Sequence, residues 1–126
     1  MSQKRAIVHI EIPAKQRLES AQFYKDLFGW DYVDMPEMNY TGFLTGSVGG
    51  GYNPLESPGA KVGEVLLYVE TDDFEADLQK VIDLGGKVEI GKMEIPTVGW
   101  YAVFHDPTGN RMCLFQSMAP MEGSSS

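Results

Sequence analysis

The chain of 126 residues contains one cysteine, Cys113. A single thiol excludes an internal disulfide framework and any multi-cysteine metal cluster. Basic residues are scarce: ten Lys and Arg stand against eighteen Asp and Glu, a formal net charge of −8. Nucleic acids and anionic membrane surfaces both select a basic face, so neither nucleic acid nor membrane is an expected partner. The charge mildly favours neutral or cationic small molecules. No apolar run approaches the ~18 residues of a membrane span. Lys4 and Arg5 precede no apolar run long enough for a signal peptide. These absences predict a soluble cytoplasmic protein, and a free thiol suits a reducing compartment. Gly49-Gly50-Gly51 lacks the Gly-Lys-Ser/Thr frame of a phosphate loop, and Pro54 breaks a dinucleotide pattern. Close backbone packing or a bulge is its expected role.

What is present is ordinary globular material, with 43% apolar and 22% charged residues. The length predicts one domain, able to bury roughly two thirds of its unfolded surface without disulfide or metal. Ala6–Ile12 reads as a strand stopped by Pro13, with Ile7, His9 and Glu11 on one face and Val8, Ile10 and Ile12 on the other. Apolar spacing predicts a helix over Leu18–Phe28 ending at Gly29. Strands are expected at Trp30–Val33 and Tyr40–Thr45, and a poor, glycine-rich one at Ser47–Tyr52. Pro54, Pro58 and the glycines around them mark a linker at about 54–63.

The pattern then restarts. A strand at Glu64–Glu70 precedes a helix with Asp72 as N-cap, closed by Gly85-Gly86. Three more strands follow at Val88–Ile90, Gly99–His105 and Asn110–Gln116, and a disordered tail is expected from about 118. His9 stands as far before Gly29 as Leu66 does before Gly86, which makes His9 and Leu66 equivalent. The chain is therefore two modules, about 5–53 and 64–117, each strand–helix–three strands.

Three stretches carry a resemblance to a known family: His9-Ile-Glu-Ile-Pro13 with Phe23-Tyr-Lys-Asp-Leu-Phe-Gly-Trp30; Tyr68-Val-Glu-Thr-Asp-Asp-Phe74 with Leu84-Gly-Gly86; and Phe104-His-Asp-Pro-Thr-Gly-Asn110. In this order and spacing they resemble the vicinal oxygen chelate superfamily of glyoxalase I, bleomycin-resistance proteins and extradiol dioxygenases. The likeness is greatest to a short prokaryotic branch related to lactoylglutathione lyase. It covers roughly residues 5 to 117. The resemblance implies an α+β fold of two paired βαβββ modules, a cup-shaped mixed sheet with helices on its outer side, and a homodimer.

Metal-dependent relatives place ligands at four equivalent points, on the first and last strand of each module. His9 fits the first. Val48-Gly49-Gly50-Gly51 supplies no side-chain ligand at the second. Leu66 cannot ligate at the third, and Cys113 stands at the fourth in place of the usual carboxylate. No metal cofactor is expected on this count. The alternative is a displaced divalent site built from His9, Glu11 and Glu64.

His9 is either a general base or binding donor, or a satisfied histidine inherited from a metal-binding ancestor. Glu11 either orients His9 or reaches water at the strand end. Both are candidate catalytic residues. Cys113 is a candidate ligand contact or a buried core thiol. Of the aromatics Tyr40, Phe43, Tyr52, Tyr68, Trp100 and Tyr101, the first expected against a ligand are Tyr68 and Trp100, the latter on a stretch from Pro96 that would fold over the cup. His105-Asp106 reads as structure, because strand neighbours point apart and Asp106-Pro-Thr-Gly109 has type I turn preferences. The favoured function is binding of a small organic molecule. The alternative is a lyase, isomerase or epimerase using His9 and Glu11.

Overall fold

Hydrophobic alternation and two glycine stops set the order of elements. The computed structural model describes residues 4–54 and 61–118. The order is β1 (Ile7–Pro13), α1 (Arg17–Phe28), β2 (Asp31–Met35), β3 (Tyr40–Leu44), β4 (Gly49–Asn53), β5 (Leu66–Glu70), α2 (Phe74–Asp83), β6 (Lys87–Ile95), β7 (Gly99–His105) and β8 (Arg111–Ser117). A single 3-10 turn, Pro36–Met38, joins β2 to β3. The α+β class and the doubled βαβββ order agree with the sequence reading. The middle of the expected linker (55–60) and the tail from 119 onward lie outside the described residues.

The chain divides into two units, 7–67 and 68–118, the second also holding residues 4–6. In the first, strand order is β2-β3-β4-β1; β1 runs parallel to β4 and the other pairs are antiparallel. In the second, the order is β5-β8-β7-β6, with β5 parallel to β8.

One face of each four-stranded set is covered by its helix. In the first unit Ala14, Ala21, Phe43 and Tyr52 form the core, with Ile10, Ile12, Tyr24, Trp30 and Tyr32 packed against them. Tyr24 stacks on Tyr52 with centroids 5.9 Å apart, and Trp30 on Phe43 at 5.2 Å. Offset aromatic stacking of this kind adds to area burial. Helix α1 ends where Gly29 turns left-handed, at φ 78°, and donates its N–H to the Lys25 carbonyl. Arg17 moors the helix to the sheet, donating from Nε to Asp34 at 3.0 Å and from Nη1 to Asn39 at 2.6 Å.

In the second unit Phe74, Ala102 and Leu114 form the core under α2, joined by Leu78, Trp100 and Phe104. The N-cap is Asp73 rather than Asp72: its carboxylate accepts from the Ala76 N–H at 3.0 Å. Strand β6 runs well beyond the expected Val88–Ile90. Its register against β7 shifts twice between Val88 and Met93, and such bulges hide the simple alternation by which a strand is read.

The triple-glycine stretch is a regular strand, not a break. A side chain at Gly50 would strike the Ile10 carbonyl and the Phe43 ring, so glycine there permits close packing on the helix side.

Candidate functional site

The strand registers of the first unit define a grid on the face away from α1. Asp31, Leu44, Gly49 and His9 lie side by side across β2, β3, β4 and β1. Val33, Gly42, Gly51 and Glu11 form the next row. Met35 and Tyr40, then Asn53 and Pro13, complete the third. His9 and Glu11 are same-face neighbours because side chains alternate along β1.

Glu11 is buried, 6% exposed, and is held by three donors. His9 Nε2 donates to its Oε2 at 2.5 Å, the Tyr40 hydroxyl donates to the same oxygen, and Asn53 Nδ2 donates to Oε1 at 3.1 Å. The Tyr40 oxygen also lies 3.1 Å from His9 Nε2. The tautomer with its proton on Nε2 suits the carboxylate and the phenol oxygen in front of it. A buried carboxylate is tolerated where charge-assisted hydrogen bonds replace water, and this one has three.

The tyrosine reaches Glu11 because Gly51 lets it. The three nearest atoms that a Cβ at Gly51 would meet all belong to the Tyr40 phenol. Gly42 behaves differently: a Cβ there would meet only ordinary contacts, at 3.6 and 3.8 Å, whereas one at Gly49 would come within 3.3 Å of the Phe43 carbonyl. Beside Tyr40 and His9 the sheet is thus bare backbone, flanked by Val33 and Leu44, which are 61% and 64% exposed.

Of the sequence candidates, His9 and Glu11 come together as a bonded pair. Glu64 does not complete them as a ligand set: among the described residues no three His, Cys, Asp or Glu side chains gather so as to hold a metal ion. In the tautomer that donates to Glu11, Nε2 of His9 presents its proton to this cluster.

Tyr68 and Cys113 are register partners across β5 and β8 in the second unit, both buried. Tyr68 packs edge-on against Phe115. Trp100 takes the other side of its sheet. It belongs to the cluster under α2, with the Lys92 ammonium 5.0 Å from its ring. The stretch from Pro96 does not fold over the sheet; it is a tight turn between β6 and β7 closed by Val98 N–H donating to the Ile95 carbonyl at 2.9 Å. Phe43 and Tyr52 are core residues beneath α1.

One neighbour of the Glu11 cluster escaped the sequence reading. Asn53 marked only the end of the first expected module, yet it closes the Glu11 cluster from β4. The sequence signal available was its even spacing from Gly51 on a strand. The other unit holds a separate ionic set. Glu89 accepts two bonds from Arg111, at 3.0 and 3.2 Å, and one from His105 Nε2 at 2.7 Å. Burial pushes the Glu89 carboxyl up, but its bonds from Arg111 and His105 outweigh that and hold it below the usual range. Asp106 behaves as expected of a turn residue, its Oδ1 accepting from the N–H groups of Thr108, Gly109 and Asn110.

The family model of the Glyoxalase/Bleomycin resistance protein/Dioxygenase superfamily matches residues 6–114. CFP32 of Mycobacterium tuberculosis is 29% identical over 116 residues, covering 86% of this chain and 44% of CFP32. The chain thus spans less than half the length of that relative. A glyoxylase-like domain-containing protein of Didymella fabae is 31% identical over 109 residues, covering 80% of this chain and 85% of its own length. A variant of Streptomyces coelicolor methylmalonyl-CoA epimerase, solved with 2-nitronate-propionyl-CoA, superposes with a TM-score of 0.63 at 20% identity, covering 94% of this chain and 100% of that one. That likeness is one of fold alone. The breadth of the family match and the repeated βαβββ order agree: the chain belongs to the Glyoxalase/Bleomycin resistance protein/Dioxygenase superfamily.

Proposed function

We propose that the protein binds a small organic molecule on the helix-free face of its first unit. The observation that carries this reading is the patch of bare backbone at Gly42 and Gly49 next to His9 and Tyr40. Ligand sites pair apolar surface with a few convergent polar groups. Here Val33 and Leu44 supply the apolar surface and His9 with Tyr40 the polar edge. Both glycines leave the floor flat, which suits a planar ring. The negative charge of Glu11 behind the polar edge favours a ligand that is neutral or cationic over an anion.

A second reading is an acid–base enzyme of the lyase or isomerase kind. The hydrogen-bonded trio of His9, Glu11 and Tyr40 favours it, because such a set can pass a proton to a bound molecule. His9→Ala separates the two: turnover on a confirmed ligand is lost if His9 moves a proton, while a binder loses affinity only.

The test is amide NMR of the labelled protein against a library of small aromatic and heterocyclic compounds. Binders should shift the resonances of Gly42, Gly49 and Tyr40, and Gly42→Val should remove those shifts without unfolding the protein. Binders that shift only the second unit, or that ignore Gly42→Val, would overturn the assignment.

A further inference from the structure

The unexpected element of the site is the fit between Tyr40 and Gly51. Glu11 and Gly51 are register partners on adjacent strands, so side chains at those two positions would start within about 5 Å of each other. His9 is the next residue along on the same face of β1. A carboxylate or imidazole at position 51 would therefore face His9 and Glu11 across one small space. That is the layout a three-ligand divalent site needs. Position 51 is glycine, and its backbone does not require one, because its φ lies outside the left-handed region. The phenol of Tyr40, from β3, fills the space a position-51 side chain would take. Its hydroxyl donates to Glu11 Oε2 and its oxygen lies 3.1 Å from His9 Nε2. The two potential ligands are thus bonded to the intruder and to each other.

The second unit has the same grid without a substitute of this kind. Tyr68, Cys113, Val103 and Ile90 occupy the row that Glu11, Gly51, Gly42 and Val33 occupy in the first. Tyr68 there is the strand residue itself, and Cys113 fills the place of Gly51.

We propose that Tyr40 stands in for a metal ion in this chain. Its phenol, admitted by Gly51, occupies the coordination space between His9 and Glu11, and the site operates as a hydrogen-bonded centre without a metal. The consequence for chemistry is a different polar group at the site. A bound molecule meets a phenol and an imidazole, which exchange hydrogen bonds, where a metal would offer a Lewis acid.

This proposal stands or falls apart from ligand binding, because its test reads metal. Wild type, Tyr40→Ala/Gly51→Glu and Tyr40→Ala/Gly51→His are each incubated with Zn²⁺ or Co²⁺, desalted and assayed by elemental analysis. Folding is checked by thermal unfolding, and Co²⁺ absorption reports the ligand geometry. The wild type should retain no stoichiometric metal. A folded double variant should retain about one ion per chain, lost again when His9→Ala is added. Metal retained by the wild type and lost in His9→Ala would overturn the proposal. So would a folded double variant that retains none. Should neither double variant fold, wild-type NMR decides. A protected hydroxyl proton that Tyr40→Phe removes should persist in excess Zn²⁺; its loss on adding Zn²⁺ would place the metal where Tyr40 is held to sit.

Discussion

Gly51→Ala isolates the role of the glycine beside Glu11. The added methyl meets the Tyr40 phenol and no backbone among its three nearest contacts, so the ring swings aside while the strand holds. Swinging breaks the Tyr40–Glu11 hydrogen bond. A bond to a charged, buried acceptor contributes about 1.5–3 kcal/mol. Against this, alanine in a strand interior is favoured over glycine by roughly 0.5–1 kcal/mol. The net loss is then about 1–2 kcal/mol, or a fall in Tm of about 4–8 °C for a chain of this size. The decisive comparison is the same substitution in a Tyr40→Ala background. With the ring gone there is nothing to displace, and Gly51→Ala should become neutral or slightly stabilising. A double-mutant cycle by urea unfolding should yield a coupling of about 1.5–3 kcal/mol between positions 40 and 51. Gly50→Ala provides the contrast, since its methyl strikes the Ile10 carbonyl and the Phe43 ring, and Tyr40→Ala should not relieve it. If Gly51→Ala costs the same in both backgrounds, the glycine is not there for the tyrosine and the reasoning is wrong.

Other perturbations read other parts of the structure. The Tyr52 hydroxyl is buried with no hydrogen-bond partner among the described residues, and burial, aided by the nearby Tyr24, pushes it up to about 12. Tyr52→Phe should raise stability by about 1 kcal/mol by removing an unpaired polar group, and unchanged or lower stability in chemical unfolding would contradict the buried geometry. Glu89 is held below its usual range, so its contribution is present above the unfolded carboxyl's ordinary 4.5 and is lost as pH falls through the lower folded value. Glu89→Gln should therefore destabilise at neutral pH and differ little from wild type near pH 3; a constant difference across that window would refute the linkage. Thr97 holds φ 65° in the β6–β7 turn, a conformation costly for a β-branched residue. Thr97→Gly should gain about 1 kcal/mol, and a loss would mean the Thr97 side chain makes an unrecognised contact.

Much of the fold was legible because two simple signals agree. Apolar alternation at Ile10 and Ile12 and the helix stops at Gly29 and Gly85-Gly86 mark β1, α1 and α2. The matched spacing of His9 and Leu66 from those stops reveals the repeat. The misreadings share one cause, that each residue's partner lies far off in sequence. β4 looked unpromising because three glycines carry no strand propensity, but Gly50 and Gly51 are chosen by Phe43 and Tyr40 on the neighbouring strand. β6 was cut short because bulges break period two. Trp100 was placed on the ligand side, yet its parity with Ala102 and Phe104 on β7 commits it to α2. The His9–Glu11 contact was legible because the two are neighbours on one face of one strand. Tyr40 was only one of six aromatics, and Asn53 only a linker boundary, because their approach to Glu11 depends on strand register.

Comparing the two grids supports placing the proposed site in the first unit. Equivalent positions carry opposite amounts of side chain. In the second unit Tyr68, Cys113 and Val103 fill their row, with Cys113 and Val103 at 0% and 1% exposed. In the first, the same row reads Glu11, Gly51, Gly42 and Val33, two glycines side by side. A scaffold stabilised by covering its sheet gains nothing from bare backbone, since each glycine forfeits packing and costs roughly 0.5–1 kcal/mol in a strand. One of the two is explained by Tyr40. Gly42 is explained by no neighbour among the described residues, because a Cβ there would meet only ordinary van der Waals contacts. Room left unfilled, at a cost in stability, beside a buried and fully bonded carboxylate, supports the proposal that something other than the sheet's own side chains lies on it.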